Sequence, residues 1–102
     1  MPLFLAKKEV YEWLKDGKKT IDVRRGRPKR GSMAVFQSGP SHIRFQIVKK
    51  EIGVLAEVIR NDNYQQIIPT AENVIAARKY LIEIYGGDIG VFTAYYLSRL
   101  AV

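Results

Sequence analysis

The sequence predicts an α+β fold, a small curled β-sheet or barrel flanked by two helices, and three observations predict it. Two segments repeat their apolar residues at helical spacing, the stretches between and after them alternate or run apolar like strands, and Gly/Pro/Asn clusters separate the pieces. At 102 residues there is room for one core, so residues 1–102 read as a single domain.

The elements follow in order. Ala6, Val10, Trp13 and Leu14 share a helical face over residues 7–16, and Gly17 stops that helix. Residues 20–24 alternate, with Ile21 and Val23 on one face and Asp22 and Arg24 on the other, as in a half-buried strand. Gly26, Pro28 and Gly31 make 25–32 a loop, 33–37 is an apolar strand, and Ser38 to Ser41 is a turn. Ile43, Phe45 and Ile47 alternate in a strand over 42–48. The Val/Ile/Leu-rich stretch 52–59 reads as continuing the sheet, with Gly53 a bulge or bend. Thr70 is expected to cap a second, largely buried helix that ends at Gly86-Gly87, with Glu72 in its first turn, where the helix dipole favours an acid. An aromatic-rich strand over 89–97 closes the order α-β-β-β-β-α-β.

Composition removes several chemistries. With no cysteine there are no disulfides, thiolate metal sites or cysteine nucleophiles. The single histidine, His42, sits at a strand start and reads as an edge residue; one histidine without cysteine builds no zinc site of the nitrogen/sulfur type. No cofactor is expected; a hydrolytic divalent metal would have to be held by carboxylates such as Asp22 and Glu72. No apolar run is long enough to span a bilayer, and MPLFLAKKEV reverses the order of a secretory signal. The expected location is cytoplasmic, without membrane association.

Charge is the most informative quantity. Seventeen basic residues face ten acidic ones, and seven of the seventeen lie in KKTIDVRRGRPKR, Lys18 to Arg30, with Asp22 the one acid. Charge spread for solubility would not concentrate in thirteen residues; this pattern points to an anionic partner, nucleic acid first. The expected contacts are Lys18, Lys19, Arg24, Arg25, Arg27, Lys29 and Arg30. Tyr64, in the polar stretch NDNYQQ, is the tyrosine offered for base stacking, the others reading mostly as core.

Within this segment, Gly17-x-Lys19-x-x-Asp22-x-Arg24 is a constellation in its own right. Asp22 and Arg24 are two apart on a strand and point the same way, and Lys19 can reach the same concavity. Lysine, carboxylate and arginine then form a compact, charge-compensated polar site. Asp22 is expected to hold Lys19 protonated, leaving Lys19 and Arg24 to contact phosphate while Asp22 accepts from a base or orients Arg24.

GKKTIDVR resembles the GxKxxExR motif of the ASCH family, small proteins of the PUA-like fold, with aspartate where glutamate is usual. The strands after the motif, the helix near Glu72-Asn73 and the Tyr85-Gly86 turn before a last strand extend the resemblance over nearly the whole chain. It implies a barrel-like sheet with the motif lining an RNA-facing cleft, and partners such as single-stranded RNA or a modified nucleoside. Family members include an N4-acetylcytidine amidohydrolase and a metal-dependent ribonuclease on single-stranded RNA. In the short amidohydrolases a lysine, a threonine three residues later and a distant glutamate act together. Carried over, these fall on Lys19, Asp22 and Glu72, with a carboxylate where the hydroxyl donor stands. The resemblance therefore implies an RNA-binding module, with hydrolysis as the alternative.

Overall fold

A computed structural model of the chain describes residues 1–100. The elements are β1 (Leu3–Leu5), α1 (Lys8–Lys15), β2 (Ile21–Arg25), β3 (Met33–Ser38), β4 (Ser41–Gly53), α2 (Leu55–Val58), α3 (Tyr64–Ile67), α4 (Val74–Tyr85) and β5 (Phe92–Arg99). The strands form one mixed sheet in the order β1-β3-β4-β5-β2, parallel between β1 and β3 and antiparallel elsewhere. It is curled into a half-barrel, so its edge strands β1 and β2 approach each other. The expected α+β architecture with two principal helices, α1 and α4, is present; α2 and α3 are single turns.

Two apolar clusters use the two faces of the sheet. Ile21, Val23, Phe92 and Ala94 pack with Trp13, Ile67, Ala77 and Leu81 from the helices. Phe4, Phe36, Phe45, Tyr95 and Leu97 fill the curl with Leu14. Val10 of α1 packs against both clusters. β5 is therefore buried on both faces through most of its length, which explains its continuous apolar run.

Several expectations from sequence are corrected. The N-terminal run, to which the sequence pattern assigns no element, is a strand over Leu3-Phe4-Leu5, flanked by hydrogen bonds from Val35 N to Pro2 O (3.0 Å) and from Ala6 N to Gln37 O (2.8 Å). The expected strand over 52–59 ends at Gly53. Leu55, Val58 and Ile59 follow helical spacing, and Glu57 Oε1 accepts from Val54 N at 3.0 Å to cap the turn. Arg78 of α4 donates to Ile59 O at 2.7 and 3.0 Å, fixing that turn against the long helix. β4 runs on through Lys49 to Glu51, with a bulge at Val48 between Ile47 and Lys49. The bulge shifts the alternation, so Lys49 lies over the Tyr96 ring (4.9 Å) and Lys50 donates to Lys29 O (2.7 Å).

Thr70 does not cap α4. Asn73 does, its side-chain oxygen accepting from Ala76 N at 2.8 Å, so Glu72 lies outside the helix and not in its first turn. The helix is less buried than expected, with Ile75 71% and Ile84 43% exposed, while Gly86 ends it as expected in a left-handed conformation (φ +73°). Among the described residues no helix is long and apolar enough to cross a membrane.

Phe4 makes the clearest test of β1. It is 4% exposed, stacks tilted on Phe36 and Tyr95 (5.3 and 5.1 Å), and carries the Arg24 guanidinium on its ring (4.7 Å). Phe4→Ala should cost about 3–5 kcal/mol in urea unfolding, although residue 4 lies where truncation is usually harmless. A loss below about 1 kcal/mol would mean that β1 is not a working part of the sheet.

Candidate functional site

The motif residues meet at the seam of the half-barrel. Lys19 leaves the turn after α1, where its backbone N–H bonds Trp13 O at 3.0 Å, and its side chain runs inward to 3% exposure. Its ammonium donates to Ile21 O (2.8 Å) and Ile67 O (2.7 Å) and lies 3.5 Å from Asp22 Oδ1. Asp22, 4% exposed, accepts at Oδ2 from Arg24 Nε at 2.6 Å. Arg24 Nη1 then donates to Leu5 O at 3.0 Å, and the guanidinium sits over the ring of Phe4. A polar chain thus runs from the floor, through both carboxylate oxygens, to the opposite edge strand.

Above this chain is an open cleft of about 210 Å³, below the ~300–1,000 Å³ of sites for drug-sized ligands and suited to one ring system. Lys19, Asp22 and Arg24 line it together with apolar side chains from β1, α1 and α4. Tyr80 and Tyr85 stand in its wall. Burial, reinforced by the Glu9 carboxylate, pushes Tyr80 up to about 12, and its hydroxyl donates to Glu9 Oε1 at 3.2 Å. Burial also raises Tyr85. Both phenols are neutral at physiological pH. Helical periodicity had assigned them to the core; that they reach a cleft depends on where α4 crosses β2, which no local pattern encodes.

The expected roles change in three places. Lys19 is not offered to a phosphate, because its donors are directed to protein acceptors in the interior. Nor is it held more firmly protonated: burial lowers its pKa and outweighs the opposing pull of Asp22. Glu72 is exposed and lines neither of the hollows that Lys19 lines, so the Lys19/Asp22/Glu72 trio is not assembled. Among the described residues there is also no group of three or more metal-ligating side chains of the His/Cys/Asp/Glu type. Tyr64 packs beside the core, its hydroxyl 3.4 Å from Glu72 O, and His42 is an exposed residue of β4, as expected.

Lys18, Arg25, Arg27, Lys29 and Arg30 are all exposed. Their loop is more firmly anchored than its Gly/Pro content suggests. Gly26 N donates to Val91 O (2.7 Å), Thr93 Oγ1 to Gly26 O (2.7 Å) and Lys29 N to the Tyr95 hydroxyl (2.9 Å). Arg25 donates to Gly87 O at 3.0 Å and lies near the Tyr85 and Phe92 rings. Since the other anchors use backbone atoms of the loop, the side chains of Arg27, Lys29 and Arg30 carry charge without carrying its shape.

One polar cluster escaped the sequence. Tyr96 donates to Glu51 Oε1 (2.7 Å), Arg60 joins Glu51 (3.3 Å) and Asp62 (3.1 Å), and buried Asn63 donates to Val58 O (3.0 Å). Hydrogen bonding to Tyr96, then to Glu51, raises Arg60 further. These groups come from three separate elements and tie α2 and α3 to the sheet.

The lowered pKa of Lys19 has a sign that titration can read. The native state binds fewer protons here than the unfolded chain between the lowered value and 10.5, so this contribution to stability is complete above 10.5 and lost as pH falls through the native value. Lys19→Met should cost about 3–5 kcal/mol at pH 7, since Asp22 loses one partner and two carbonyls lose their donor. The deficit relative to wild type should widen from pH 7 to 10 in parallel urea unfolding; a constant difference would contradict the burial effect.

No protein-family model matches the sequence, and neither does any curated protein. Solved structures do match. The hypothetical protein PH0355 aligns with a TM-score of 0.74 at 18% identity, over 98% of this chain and all of the other. Protein PF0455 from Pyrococcus furiosus aligns at 0.68 and 17% identity, over the full length of both. The ASCH protein of Zymomonas mobilis aligns at 0.69 and 18% identity over 95% of this chain, which spans 66% of that protein. At such identities the shared property is architecture, and the architecture of this chain is the ASCH fold.

Proposed function

We propose that the protein binds single-stranded RNA, taking one base into the seam cleft while the 25–30 loop and Lys18 hold flanking phosphates. The observation that carries this reading is the buried Lys19–Asp22–Arg24 chain at the floor of an open, ring-sized cleft, next to an exposed basic loop. Asp22 uses one direction on each oxygen internally and keeps acceptor capacity for a base N–H. Aliphatic and tyrosine walls suit a planar ring, and the loop supplies the sequence-independent attraction.

Hydrolysis of a modified cytidine is the second reading, favoured by one observation, the lysine whose pKa is lowered by burial. Against it stand Asp22 at the hydroxyl position and Glu72 outside the cleft. Incubation with N4-acetylcytidine, and with labelled single-stranded RNA with and without divalent metal, should show negligible turnover. Rapid turnover abolished by Lys19→Met would make the protein an enzyme.

Five exposed cations should give a log K against log salt slope of roughly −3 to −4 for single strands, read by fluorescence anisotropy. Replacing Arg27, Lys29 and Arg30 with serine should flatten that slope by about 2 while leaving the melting temperature nearly unchanged, because the loop is fixed through its backbone. A wild-type slope near zero removes the RNA reading.

A further inference from the structure

A second hollow, of about 240 Å³, lies at the other end of α1 from the seam cleft. Leu14, Phe45 and Leu97 give it apolar walls, and the turn residues Lys19 and Thr20 form one side. Lys19 is shared: it lines this hollow and the seam cleft alike. Arg99 frames the opening, its guanidinium 5.9 Å over the Phe45 ring and its Nη1 donating to Lys15 O at 2.9 Å. That bond also answers the carbonyl-rich end of α1, which would otherwise repel an anion. Exposed Lys15 and Lys18 stand nearby, so three cations oppose the one carboxylate of Asp16.

We propose that this hollow is a second nucleotide subsite, taking the neighbouring base of the same RNA strand against Phe45 and Leu97 with its phosphate toward Arg99 and Lys18. The inference rests on the RNA reading of the seam cleft and adds a site and a direction to it. Three features follow one another through β2 and its flanks: the hollow at Thr20 just before the strand, the cleft at Asp22 to Arg24, and the basic loop after Arg25, with Lys19 shared between hollow and cleft. At ~3.3 Å per residue Thr20 and Asp22 lie about 7 Å apart along the chain, a step that one nucleotide of an extended strand can follow. A guanidinium at the mouth of an aromatic-walled hollow can stack on a base as well as donate to its phosphate.

The test is isothermal titration of the native protein with the four nucleoside 5′-monophosphates and the four 5′-phosphorylated homodinucleotides at low salt. At least one dinucleotide should bind about ten-fold or more tighter than its monophosphate, since contact of a second base is worth ~1–3 kcal/mol. Arg99→Ala should remove that gain and leave monophosphate affinity unchanged. Methyl chemical shifts of Leu14 and Leu97 should move with dinucleotide and stay still with monophosphate. Equal mono- and dinucleotide affinities, or Arg99→Ala weakening both alike, would overturn the second subsite while leaving the seam cleft intact. Binding of neither ligand would overturn both readings together.

Discussion

Arg24 is the residue on which the rest of the structure depends. A half-barrel sheet has two edge strands, and here one side chain joins them: Nε to Asp22 on its own strand, Nη1 to Leu5 O on β1. It also sits over the Phe4 ring, so the apolar filling of the curl and the polar chain meet in the same guanidinium. Five donors in a rigid fork permit this; an ammonium could make a point contact but could not bond two strands and stack at once. The cleft exists because the edges are bridged by a side chain and not by backbone hydrogen bonds, which would have closed the barrel and left no seam.

The buried charges follow from that bridge. Asp22 is nearly inaccessible, and an isolated carboxylate there would carry a large desolvation cost. Arg24 and Lys19 offset it from two sides, and Lys19 in turn needs the carbonyls of Ile21 and Ile67. Ile67 ends α3, a single turn with little stability of its own, so the polar chain also holds the 64–68 segment against β2. At Lys19 and Asp22 the floor of the cleft and the fold determinant are therefore the same side chains. In the 25–30 loop the roles are separate: backbone atoms hold the shape and side chains hold the charge.

Much of this was legible in the sequence, for physical reasons that can be located. The period-two alternation at Ile21 to Arg24 placed Asp22 and Arg24 on one face, and the local excess of cations marked the exposed loop. What was not legible depended on long-range contacts. Leu3 to Leu5 is too short to show a period and becomes a strand only because β3 offers it a parallel edge. The stretch 52–59 is rich in Val, Ile and Leu, yet the helix formers Leu55-Ala56-Glu57, the i, i+3, i+4 spacing of Leu55, Val58 and Ile59 and the Arg78 clamp make its second half a helical turn. Asn73 outcompeted Thr70 as a cap, which moved Glu72 out of the helix. Lys19 was misjudged most. Its neighbour in sequence is an acid that raises its pKa, but its burial is set by Ile67, forty-eight residues away, and burial wins.

The placement of Lys19 also bears on what the ASCH fold can be asked to do in this chain. A lysine used to activate water needs its nitrogen lone pair aimed at substrate, and here the ammonium is directed to two carbonyls and a carboxylate at 2.7, 2.8 and 3.5 Å. Deprotonation would forfeit at least one of those donations and leave Asp22 and Arg24 rebalancing without it. Lowered basicity alone thus does not make a catalytic base; the lone pair must also have somewhere to point. The same three acceptors make Lys19 a good rigid floor, because a fixed side chain costs little further entropy when a ligand settles above it. Geometry and entropy therefore support the proposed reading of recognition over turnover at this cleft, with Asp22 as its floor acceptor.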